Sequence, residues 1–205
     1  MSITTREALR ALYAPARERS VKKELPQLDG HCTRFIELSP FVVVASSGEG
    51  VEGLGDLDAS PRGGEPGFVK VLGTDTLLIP DSPGNNRLDT LENIIQTGRV
   101  GLLFLVPGVD ETLRVNGTAV LSTAEADLTL CADAKRVPKL VIRVTVQAAY
   151  LHCAKALMRS ALWDATRHMD RATLPSMGEM LKDQIGSDIP AETQAQMLVR
   201  YAVDL

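Results

Sequence analysis

Histidine and cysteine are scarce in this sequence, and each scarcity closes off a class of chemistry. His31, His152 and His168 stand apart with no metal-ligand spacing, so no metal centre is expected. Cys32, Cys131 and Cys153 are an odd number without a Cys-x-x-Cys pair. They form neither a disulfide framework nor a thiolate zinc site and read as reduced thiols. The neighbours His31-Cys32 and His152-Cys153 do not face each other on a helix, so they supply no nucleophile and base. Basic runs are missing and the formal net charge is −4, which argues against a nucleic-acid partner. The longest apolar run, residues 100–107, is too short to span a bilayer, and Met1-Ser-Ile-Thr-Thr-Arg-Glu lacks the pattern of a signal peptide. A cytoplasmic protein with no membrane association is expected. The glycines match neither the dinucleotide fingerprint nor the phosphate loop of nucleotide hydrolases.

What the chain has is enough apolar residue, 44% of 205, to bury a substantial core. Its glycines and prolines are scattered as turns rather than gathered into a linker, so one domain is expected over 1–205. About 1–40 reads as helical. Asp29 can cap a helix carrying Phe35, Ile36 and Leu38 that ends before Pro40, and Pro15 can open an earlier one. Over 41–150 the texture changes to short β-branched runs. They are Phe41-Val-Val-Val-Ala, Phe68-Val-Lys-Val-Leu, Thr76-Leu-Leu-Ile, Val100-Gly-Leu-Leu-Phe-Leu-Val, Thr112-Leu-Arg-Val-Asn-Gly-Thr-Ala-Val-Leu and Leu140-Val-Ile-Arg-Val-Thr-Val. One helix interrupts them, with Leu88, Leu91, Ile94 and Ile95 at helical spacing and Gly98 at its C′ position. Ser122-Thr-Ala-Glu125 has the form of a capping box. Helices are expected over 152–164 and 176–184, and another opened by Pro190, within 151–205. The fold class is α+β with a mainly β core: an antiparallel barrel with flanking helices.

Four clusters could carry chemistry. Asp81-Ser-Pro-Gly-Asn-Asn-Arg87 delivers Asn85, Asn86 and Arg87 to a helix start, where unpaired N–H groups and a guanidinium suit a phosphate. The alternative is a capped surface turn with a solvated arginine. Asp58-Ala-Ser-Pro-Arg-Gly-Gly64 puts Ser60 and Arg62 in a tight glycine-rich turn, an anion cradle or a plain hairpin loop. In the strands, Lys70 faces away from Val69 and Val71, and Arg114 and Asn116 share one face. Each polar face could line a ligand or simply meet solvent. Finally, His152, Lys155 and Arg159 would form one basic helix edge, either near a ligand or solvated.

In order, Ser60-Pro-Arg-Gly, Gly67-Phe-Val-Lys-Val-Leu, Leu77-Leu-Ile-Pro-Asp, Gly84-Asn-Asn-Arg, Asn93-Ile-Ile, Arg99-Val-Gly-Leu-Leu-Phe, Leu113-Arg-Val-Asn-Gly and the late His-Cys-x-Lys-Ala run resemble the pyridoxamine 5′-phosphate oxidase-related FMN-binding proteins over about residues 30–165. The resemblance implies an FMN-binding, six-stranded split β-barrel whose homodimer interface holds two FMN molecules. It implies flavin contacts from Ser60, Arg62, Phe68, Val69 and Lys70, a phosphate loop at Asn85, Asn86 and Arg87, ring contacts from Arg114 and Asn116, and His152 and Lys155 reaching the partner's flavin. Asn-Asn-Arg replaces the oxidase's Ser-Arg-Lys phosphate loop, and the oxidase's Arg-x-His segment and Trp-x-x-x-Arg-Leu-x-Pro ending are missing, so its substrate does not carry over. The implied activity is an FMN-dependent oxidoreductase acting on a small molecule, with Arg62, Lys70 and His152 near the flavin's open face. A flavin carrier or redox sensor without turnover is the alternative, and pyridoxal phosphate or a deazaflavin a third ligand choice. Dimerisation is also expected from Leu102, Phe104, Val106, Val141 and Val146, which offer more apolar surface than one small barrel covers.

Overall fold

The computed structural model describes residues 2–50 and 56–203. The chain divides into two compact units, Met1–Trp163 and Asp164–Leu205. The first opens with two short exposed helices, α1 (Arg6–Arg10) and α2 (Glu18–Lys22). In α3 (Gly30–Leu38) the Asp29 side chain caps the Cys32 amide as expected, and Cys32 and Ile36 are turned into the core. Then follow β1 (Phe41–Ser47), β2 (Leu57–Gly63), β3 (Lys70–Leu72), β4 (Thr76–Pro80), α4 (Asp89–Thr97), β5 (Arg99–Leu105), β6 (Thr112–Ser122), α5 (Glu125–Leu130), β7 (Val141–His152) and α6 (Lys155–Ser160).

The strands form one antiparallel sheet in the order β2-β1-β5-β6-β7-β4-β3, the split β-barrel of an α+β fold. Alternation decides which face is the core. Val42 and Val44 of β1 and Val100, Leu102 and Phe104 of β5 are buried, while Val43, Gly101 and Leu103 between them are half-buried. Burying a side chain the size of Phe104 contributes roughly 1.5–3 kcal/mol. β4 is different: Leu77, Leu78 and Ile79 are all buried, because Leu77 and Ile79 enter the main core and Leu78 joins Cys131 and Val141 in a smaller one on the other face. α3 and α4 close the main core with Ile36, Leu91 and Ile94. Gly98 ends α4 in the left-handed region, as its spacing predicted.

Several expectations are corrected. The barrel has seven strands rather than six, because the segment read as a glycine-rich turn at 58–64 is the edge strand β2, paired residue for residue with β1 from Phe41↔Gly63 to Ser47↔Leu57. Pro61 is tolerated there because an edge strand does not need every N–H. The strand expected from Phe68 begins only at Lys70. Residue 152 does not start a helix: Leu151 and His152 extend β7 through pairing with Leu113 and Thr112, and α6 begins at Lys155. His152 therefore shares no helix edge with Lys155 and Arg159. Ser122 makes no capping box. It is the last residue of β6, its hydroxyl donates to Asp127 at 2.6 Å, and Ala124 is the cap residue of α5. The segment read as opened by Pro15 becomes helical only at Glu18. Leu102, Phe104, Val141 and Val146 lie in the chain's own core, so they are not a surplus awaiting a partner.

The second unit carries two short 3-10 turns, Ala165–Arg167 and Arg171–Thr173, then α7 (Met177–Ile185) and α8 (Gln194–Tyr201). Both helices open with capping boxes, Ser176 with Glu179 and Thr193 with Gln196. Thr193, not Pro190, caps the last helix. Among the described residues no helix is long and apolar enough to cross a membrane.

Candidate functional site

The site is built on the inward row of β2. Period-two alternation leaves Asp58, Ser60 and Arg62 half-buried while Ala59, Pro61 and Gly63 are exposed. Ser60 Oγ donates to Asp58 Oδ2 at 2.9 Å, and Thr90 in the first turn of α4 donates to the same oxygen. The Ser60 and Thr90 oxygens lie 3.0 Å apart. This cluster ties the edge strand to the start of α4.

Arg62 reaches from β2 to Asp81, the residue after β4, with Nη1 to Oδ1 at 2.9 Å. Asp81 is fixed in turn by its own amide, which donates to Leu140 O at 3.1 Å. The Arg62 and Asp81 side chains are only 18% and 23% exposed, yet Arg62 Nε is buried with no acceptor among the described residues. A buried donor left in this state costs roughly 1–3 kcal/mol, so the site has an unmet demand for an oxygen acceptor.

From Asp81 the chain runs to α4 through a turn in which Asn86 takes a left-handed conformation (φ 59°) and Asn85 Oδ1 accepts from the Arg87 amide at 2.9 Å. Arg87 pairs with Asp89 at 2.7 Å, and these side chains are 76% and 47% exposed. No side chain caps α4 at Leu88. Asp89 and Glu92 in the first turn offset part of the positive charge of the helix start, and the Arg87 guanidinium lies against Asp89 there.

These elements border a cavity of about 770 Å³. Of the sequence-predicted residues, Ser60, Arg62, Phe68, Asn85, Asn86 and Arg87 line it. Arg136 and Lys139, which the sequence reading missed, also line it, from the loop before β7. The signal was the cluster Lys135-Arg-Val-Pro-Lys139, three cations in five residues. Four cations, Arg62, Arg87, Arg136 and Lys139, thus face a lining whose only carboxylate among the described residues is that of Asp81. The arrangement suits an anionic ligand of moderate size.

The other predicted residues lie outside that lining. Val69 is a core residue, 2% exposed. Lys70 Nζ donates to Gly67 O at 2.9 Å. Arg114 lies over the Tyr150 ring at 5.3 Å, with Lys23 over the same ring at 5.8 Å. Asn116 sits beside the bulge of β6, opposite Gly101. His152 ends β7 and Lys155 begins α6, both exposed. No cluster of His, Cys, Asp and Glu that could hold a metal occurs among the described residues.

A family profile described as Pyridoxamine 5′-phosphate oxidase matches residues 28–153. No curated protein matches the sequence. Among solved structures, the chain is similar to HupZ of Group A Streptococcus, at 19% identity over 60% of this chain and 93% of that one, with a TM-score of 0.48. It is similar to the FAD binding protein of Mycobacterium smegmatis, at 16% identity over 62% and 98%, with a TM-score of 0.41. It is also similar to an FMN-binding protein of Syntrophomonas wolfei, at 8% identity over 72% and 96%, with a TM-score of 0.43.

Proposed function

The chain belongs to the pyridoxamine 5′-phosphate oxidase family, and on that premise we propose that it is a flavoprotein that holds FMN by its phosphate in the cavity between β2, the 81–87 loop and the start of α4. The observation that carries this reading is the buried, unpartnered Nε of Arg62 in a cavity rich in cations. A phosphate oxygen would satisfy that donor, and Arg87 and the start of α4 are the further groups that would hold the phosphate.

The cofactor, when bound, supplies hydride or electron transfer, and the protein supplies binding, orientation and electrostatics. The reaction is an oxidation or reduction of a small molecule. On the chain's side, Arg62 and Arg87 hold the phosphate and Ser60, backed by Asp58 and Thr90, fixes the wall beside it. Lys70, Arg114, Asn116, His152 and Lys155 come to a flavin only if a second subunit extends the site. The homodimer serves that purpose, pairing through the sheet face that carries the incompletely buried Val43, Ala45, Gly101 and Leu103. The reduced cysteines fit work in the cytoplasm.

The test is the visible absorption spectrum of the purified protein, followed by titration of flavin-free protein with FMN and with riboflavin. Flavin bands and a marked preference for FMN are expected. Equal affinity for the two would remove the phosphate assignment.

A further inference from the structure

Both arginines offered to a phosphate are already engaged by carboxylates, Arg62 by Asp81 after β4 and Arg87 by Asp89 at the start of α4. The two pairs differ in what they can do. The Arg87–Asp89 side chains are 76% and 47% exposed, so solvent screens the pair and it opposes an incoming anion little. Arg62 and Asp81 are 18% and 23% exposed, where the effective dielectric is low and each charge is felt strongly. Asp81 engages Nη1 only, and Nε stays without an acceptor. The carboxylate thus engages Nη1 and leaves Nε, on another edge of the guanidinium, for a ligand. Its place is fixed, since its amide bonds to Leu140 O and it directly follows β4.

We propose that Asp81 sets the affinity threshold of this cavity: a built-in carboxylate that competes with ligand anions for Arg62. The inference rests on the cavity being the phosphate site assigned above. Asp81 weakens every anion there by a common factor, because the negative charge beside Arg62 repels each of them alike. A ligand that offers only a phosphate is then held too weakly to fill the cavity, whereas a phosphate ester with many further contacts still binds. The residue sets a threshold that simple anions do not reach.

The experiment compares wild type, Asp81→Asn and Asp81→Glu by calorimetric titration with inorganic phosphate, FMN and riboflavin, each protein checked for folding by circular dichroism. Asp81→Asn is expected to tighten inorganic phosphate and FMN alike, on the order of tenfold or more, because a like charge a few ångströms away has been removed in a half-buried site. Riboflavin, which lacks the phosphate, is expected to be unaffected, and Asp81→Glu to bind phosphate as the wild type does. Should Asp81→Asn fail to fold, Asp81→Ser gives the same comparison. Phosphate binding that is unchanged or weaker in the folded neutral variant overturns the inference, as does an equal gain for riboflavin. A wild type that takes phosphate but no FMN removes the flavin reading while leaving the role of Asp81 to be judged on phosphate alone.

Discussion

Thr90, in the first turn of α4, donates its hydroxyl to the carboxylate of Asp58 on β2, a contact between residues 32 apart in sequence. Thr90 is 2% exposed and Asp58 half-buried, so the bond is partly shielded from water and helps to anchor an edge strand whose one strand neighbour is β1. It also sets Ser60 and Arg62, which follow on the same side of β2, at the wall of the cavity.

Thr90→Val keeps the shape of the side chain and removes the hydroxyl, leaving Asp58 with Ser60 alone. A stability loss of about 1–3 kcal/mol is expected, since a partly buried carboxylate loses a donor. Urea unfolding of the two proteins measures it. A variant as stable as the wild type would mean that β2 is not held by this contact.

Among the cations, Arg62→Ala is expected to weaken FMN binding most, Arg87→Ala less, and Lys70→Ala least. A hydrogen bond to a charged group contributes roughly 1.5–3 kcal/mol, about tenfold to a hundredfold in affinity. The half-buried guanidinium of Arg62 realises more of this than the exposed one of Arg87. Lys70 is turned to Gly67 O, outside the cavity lining. Equilibrium dialysis gives the order, and FMN retention by the Arg62 variant equal to that of Lys70→Ala would refute it.

Much of this was legible in the sequence. Asp29 capping α3, the Leu91 and Ile94 face of α4, Gly98 after it, and the strand runs all follow from local chemistry, which a single stretch of residues specifies. Six of the proposed site residues line one cavity, carried by β2, the loop before β3 and the turn before α4. What escaped depends on pairing across the chain. Ser60-Pro-Arg-Gly has the composition of a turn, and only β1 beside it makes it a strand. His152 looks like the start of a helix until β6 is laid beside it. Arg136 and Lys139 belong to a visible basic cluster, but the place of their loop at the cavity follows from the fold of β7 against β4.

The bulge between Asn116 and Gly117 gives a sharp test of that pairing. A Cβ on Gly117 would fall 2.1 Å from the carbonyl oxygen of Thr145 and 3.0 Å from its carbon, both backbone atoms that cannot rotate away. Gly117→Ala is therefore expected to lose about 3 kcal/mol, the upper end of the range for overpacking. Thermal melting reads it directly. A loss below about 1 kcal/mol, the lower end of that range, would mean that β6 and β7 separate more easily here than their register implies.

The cysteines supply the last prediction, which concerns both reactivity and alkaline stability. Cys32 and Cys131 are 3% and 6% exposed, whereas Cys153 is exposed. Burial pushes the Cys32 thiol up to about 11, with the neighbouring Asp29 adding to the effect. Burial likewise raises Cys131 to about 11, partly opposed by the charge of Lys70. Since the thiolate is the reactive form, a colorimetric disulfide reagent at neutral pH is expected to label Cys153 quickly and the other two only as the protein unfolds. The same shifts make stability depend on pH. Unfolding returns each thiol to its ordinary value of 9.0, so above that pH the unfolded chain releases protons that the folded one retains. The thiol contribution to stability is thus complete below pH 9, falls as pH rises through the interval to about 11, and is lost beyond it. Urea unfolding of wild type and Cys131→Ala across that interval isolates the effect, because the variant lacks one of the two groups and its stability is expected to fall less steeply. Equal slopes in the two proteins, or prompt labelling of all three thiols in the folded state, would show that the interior around Cys131 is open to water.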